Sequence, residues 1–117
     1  MLEGLKNPAI TEELKTVVKN TIDIFNSLKS TEGSVMEQHR RESKIRANFF
    51  IELVDFILNI DNPIYKLAFM NRILNTDNIK EGLLLRPEYL TLSSKLHPIV
   101  NDDAIIAEFK KFIAENF

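Results

Sequence analysis

The sequence contains no cysteine and no tryptophan. Without a thiol there is no disulfide framework, no thiolate nucleophile and no cysteine-held zinc or iron–sulfur centre. Glycine and proline are scarce, three and four residues respectively, and most fall at segment borders. Such sparse punctuation suits helices better than a sheet with many tight turns. Gly4, Gly33 and Gly82 stand alone, so neither of the glycine-rich loops that cradle phosphate, GxxxxGK or GxGxxG, occurs. His39 and His97 are the only imidazoles, and no HxxxH, HExxH or Glu-x-x-His spacing is present to hold a metal on a helix face. None of the serines sits in a GxSxG or SxxK context. Charge of one sign is missing too: 15 basic against 17 acidic residues leave a net −2, with no global field for nucleic acid or anionic lipid.

Long apolar runs are also absent. The most apolar window is 49–60, FFIELVDFILNI, and it is interrupted by Glu52, Asp55 and Asn59. It falls well short of the roughly 20 apolar residues that a spanning helix needs. The first eight residues, MLEGLKNP, carry no basic stretch followed by an apolar core, so they do not read as a signal peptide. The expectation is a cytoplasmic, non-enzymatic protein with no cofactor, no metal and no membrane partner.

What the chain does have is aliphatic and aromatic bulk. Hydrophobic residues make up 44% of 117 and charged residues 27%, which is globular and not disordered composition. The pattern predicts a single domain, 1–117, folded as an all-α, compact bundle of five to six helices. Ile10, Leu14, Val17, Thr21, Ile24 and Leu28 step by four and three, the stripe of a bundle-facing helix that starts at Pro8 or Thr11, with Asn7 or Thr11 as its cap. Ser34-Val35-Met36-Glu37 has capping-box spacing and opens a second helix, 35 to about 60. Asn62-Pro63 ends that helix and starts a third, to about Asn75. Shorter helices are expected at 79–85 and 87–96, with a joint at His97-Pro98. Asn101 is expected to cap a last helix with Ile105, Ile106, Phe109, Phe112, Ile113 and Phe117 on its apolar face.

The second helix has two unlike halves. From Glu37 to Arg46 it is nearly all polar, and from Phe49 to Ile60 nearly all apolar, with Asn48, Glu52, Asp55 and Asn59 on one narrow wet stripe. An apolar helix of this kind is either central in its own domain or covered by a partner. Glu52 and Asp55 are the best-placed carboxylate pair, and a solvated or ion-paired stripe explains them without catalysis.

Two contact surfaces emerge. One is built from aromatic anchors, Phe49 and Phe50 on the central helix and Phe109, Phe112 and Phe117 on the last, and would meet a second copy or another protein. The other is basic: Arg40, Arg41, Lys44 and Arg46 against Glu37 and Glu42, a local charge of +4 − 2 = +2. These bases are spread around the helix, and Glu37–Arg41 and Glu42–Arg46 are at ion-pair spacing. No aromatic is interleaved for base stacking. The functional expectation is therefore a protein–protein interaction or assembly module (an adaptor, inhibitor or chaperone-like protein). The frequent Asn, Ile and Lys hint at an AT-rich microbial or viral genome. The alternative is a nucleic-acid-binding accessory subunit of a larger ribonucleoprotein or DNA-processing complex, touching phosphate through the four bases.

Overall fold

In the computed structural model, residues 2, 4–28 and 35–117 are described, with all their side chains except those of 35–43 and 77. Among these residues the chain forms six helices and no strand: α1 (Thr11–Asn26), α2 (Val35–Leu58), α3 (Pro63–Leu74), α4 (Asp77–Leu84), α5 (Pro87–Val100) and α6 (Asp103–Asn116). The all-α bundle with a central apolar helix is thus the observed fold. The apolar half of α2 supplies Phe49, Phe50, Leu53, Val54 and Ile57 to the core, and Ile60 follows just beyond its end. α2 packs on α3, α4 and α5, while α3 also carries α1 and α6 on its other sides.

Local chemistry explains most of the helix borders. The Asn62 Oδ1 accepts from the Ile64 and Tyr65 amides at 2.9 and 3.3 Å, and Pro63 occupies the first helical position, where its missing N–H costs nothing. Of the two expected starts of α1, Thr11 is the observed one, but neither expected cap is used: the helix begins behind an extended Ile10 that offers no capping side chain. Asn7 does not cap it: its Nδ2 donates to the Asn59 carbonyl at 2.7 Å and to Asp61 Oδ2 at 3.2 Å. The N-terminal segment is thereby tied to the turn between α2 and α3, and Pro8 and Leu2 are buried. A tertiary bond has taken the side chain that local geometry would have used.

The joint expected at His97-Pro98 is not there. α5 runs through both residues to Val100. Pro98 leaves the Ser94 carbonyl without its helical donor, but Ser94 is exposed, so water can serve it. Leu92 and Leu96 before the proline and Ile99 after it stay packed on the core. Asn101 then closes α5 and does not open α6: its amide and its Nδ2 both donate to the His97 carbonyl, at 3.1 and 2.9 Å. Asp102 caps α6, its Oδ1 accepting from the Ala104 and Ile105 amides. Ser34 and the side chain of Glu37, on which the expected capping box rests, lie outside what is described.

α1 meets α2 through rings. Phe25 lies 5.3 Å from Phe49 and 6.0 Å from Phe50 between centroids, and Phe49 and Phe50 meet edge to face at 5.5 Å. Phe56 and Phe69 join α2 to α3 in the same way at 5.3 Å. Thr21, the one buried polar side chain among the described residues, donates its hydroxyl to the Val17 carbonyl at 2.7 Å, which meets its hydrogen-bonding need inside its own helix.

At Gly82 the α4 backbone lies against the Phe50 ring of α2, and a Cβ there would run into that ring. The ring has little freedom to give way, because it is buried against Phe25 and Phe49. Gly82→Ala gains up to about 1 kcal/mol of helix propensity but overpacks a site where such insertions cost about 1–3 kcal/mol. The expected outcome is a net loss of stability by chemical denaturation. Recovery in a Gly82→Ala, Phe50→Leu double variant is the check that the ring is the cause.

Candidate interaction surface

The aromatic anchors expected at one interface part company in the structure. Phe49 and Phe50 are core residues, closed over by Phe25 and by the Gly82 backbone. Burial removes them from any contact surface of the folded chain. The apolar excess that suggested a partner over this helix is absorbed by α1, α3, α4 and α5. Phe109 and Phe112 are half-buried against the core. Phe112 meets the ring of Tyr65 of α3 at a tilt, 5.5 Å between centroids, and that of Phe117 edge to face at 6.1 Å. Phe117 keeps 39% of its surface exposed but docks within its own chain, with the Lys15 Nζ 5.8 Å and the Arg72 Cζ 5.0 Å from its ring centroid.

Of the basic segment, Lys44 and Arg46 are exposed on α2. The side chains of Arg40 and Arg41 lie outside the described residues. Arg46 lines a hollow of about 620 Å³ together with Phe25, Leu28, Glu81 and Leu85. The wet stripe of α2 is where the period of 3.6 puts it: Asn48, Asp55 and Asn59 are exposed. Glu52 is half-buried, its Oε1 accepting from the Leu2 amide at 3.2 Å. Glu52 and Asp55 share a small hollow of about 180 Å³ with Leu2, Phe56 and Asn59. Among the described residues no three acidic or imidazole side chains gather where they could hold a metal ion, and no helix is long and apolar enough to cross a membrane.

The surface that sequence reasoning missed is the corner between α4 and α5. Leu83, Leu84 and Leu85 follow one another at about 100° per residue and so span about 200° of the helix, too wide an arc for all three to face the core. Leu83 does, with no exposed surface, while Leu84 and Leu85 are 45% and 85% exposed. On α5, Leu92 and Leu96 point inward. Leu90 stands two residues, roughly 200°, from Leu92, and is 73% exposed. Three leucines are thus presented within the stretch 84–90. The signal was in the sequence as the LLL run, but an apolar run by itself does not say which member is left outside.

An ion pair braces this corner. Arg86 donates through Nε and Nη2 to Glu88 Oε2 and Oε1 at 3.1 and 3.0 Å, a two-pronged contact between the residue before α5 and its first turn. The guanidinium bonds hold the Glu88 carboxyl below the usual glutamate range. A depressed native pKa means that the pair's contribution is present above the unfolded-state value and is lost as pH falls through the native one. The expected result is an NMR titration midpoint for Glu88 below the usual glutamate range, returning to that range in Arg86→Ala.

No protein-family model, curated protein or solved structure matches the chain.

Proposed function

We propose that this protein is a non-enzymatic protein–protein interaction or assembly module whose contact surface is the α4–α5 corner. The observation that carries this reading is the exposure of Leu84, Leu85 and Leu90 within seven residues of chain, where the other exposed large apolar residues among those described, Ile10, Ile51, Val100 and Phe117, are scattered along the sequence. Scattered apolar side chains are ordinary on any surface. Large apolar residues grouped at one braced corner are characteristic of docking sites.

The test is site-specific photo-crosslinking of the full chain in cells, with the reactive side chain at 85, at 90 and, as a control on another face of α5, at 95. Protein adducts at 85 and 90 but not at 95 are expected. An equal pattern at all three positions, or no protein adduct at 85 and 90, overturns the reading. The nucleic-acid alternative is read separately by a gel shift. With a net charge of −2, no shift of duplex DNA is expected at about 150 mM salt. Submicromolar binding there, weakened by Lys44→Ala with Arg46→Ala, would replace the protein-docking reading with the phosphate-binding one.

A further inference from the structure

α6 stands apart from the other helices in how it is held. It is rich in large apolar residues, yet none of its residues is fully buried. Ile105, Ile106, Phe109, Phe112 and Ile113 are all only half-covered. Its main support is a single helix, α3, with a lesser contact to α5. On α3, Tyr65 touches Phe112 and Arg72 lies over Phe117. Ala68 falls between them on the same face, at three- and four-residue spacing, and is fully buried. α6 therefore covers an apolar strip of α3 while contributing little to the core itself. Its last turn is held differently. Phe117 sits against two cations from two other helices, Lys15 of α1 and Arg72 of α3.

We propose that α6 is a latch, which opens as a unit about Asn101–Asp102 while α1–α5 remain folded, and that Phe117 is its catch. Local stability follows buried apolar contact, so an element with none of its side chains fully buried opens at lower free energy than the core around α2 and α3. The hinge is well defined at both ends. Asn101 terminates α5 on the His97 carbonyl, and the Asp102 cap starts α6 afresh, so the two helices share no continuous hydrogen-bond ladder. The catch is electrostatic in kind: the faces of aromatic rings attract cations. Removing the ring should release α6 without disturbing the packing of α1–α5. Opening uncovers Tyr65 and Ala68 on α3 and frees the already exposed Arg72 from Phe117.

Native-state hydrogen exchange on the full chain tests this. The amides of α6 should exchange together, and faster than those of α2 (49–58) and α3. Phe117→Leu keeps apolar bulk but loses the ring, and it should speed α6 exchange by roughly two- to thirty-fold while leaving α2 and α3 unchanged. The paired variant Lys15→Met, Arg72→Met, which alters no residue of α6, should do the same. The continued protection of α2 and α3 reports within the same measurement that each variant is folded. Exchange of α6 at the same rate as the α2 and α3 core overturns the latch. A faster wild-type α6 that responds to neither variant overturns the role of Phe117 as the catch.

Discussion

Truncating Phe49 to alanine should cost about 3–5 kcal/mol, the range for a buried aromatic. The ring has no exposed surface and contacts both Phe25 and Phe50. Its loss therefore removes one ring of a mutually packed three-ring cluster and leaves a cavity that neighbouring helices cannot readily fill. The measurement is urea denaturation, read as a fall in midpoint at unchanged slope. A loss below about 0.5 kcal/mol, the scale of surface changes, would place Phe49 back on a contact surface and contradict the packing of α1 against α2.

The same chemical change at two leucines should give opposite results. Leu53→Ala should cost about 2–5 kcal/mol, because the side chain is wholly buried in the apolar half of α2. Leu85→Ala should stay within about 0.5 kcal/mol, because most of that side chain is already in water. Chemical denaturation of both variants side by side makes the comparison. Its functional content lies in the second half: if Leu85→Ala leaves stability intact but abolishes crosslinking from position 90, the leucine is held at the surface for contact and not for folding. A loss of several kcal/mol at Leu85 would instead show that the corner packs inward, and the proposed contact surface would go with it.

Helix identity was legible along the chain because a 3.6-residue period is a local property. The stripe of α1, the apolar half of α2 with its wet face at Asn48, Asp55 and Asn59, and the start of α3 at Asn62-Pro63 all follow from residues within one or two turns of each other. Where the reading failed, a distant partner or the packing of a neighbour had overruled local preference. Asn7 is a good capping residue and instead bonds to Asn59 and Asp61 across the fold. Pro98 is a helix breaker and instead sits in the last turns of α5, where buried Leu96 and half-buried Ile99 hold the backbone on course.

The helical class and the strongly apolar segment at 49–60 can be read from the residues alone. Composition and periodicity act on each segment separately and need no knowledge of its neighbours. Which apolar residues would be used up inside and which left over was decided only by the tertiary structure. Phe49 and Phe50 look the most available for a partner in sequence, but α1 brings Phe25 onto them and α4 lays Gly82 against the Phe50 ring. Leu84, Leu85 and Leu90 look like ordinary helix interior, but α4 ends and α5 turns away before anything covers them. Burial is a property of how several helices pack together, and a helix period states which side chains share a face without stating what that face meets.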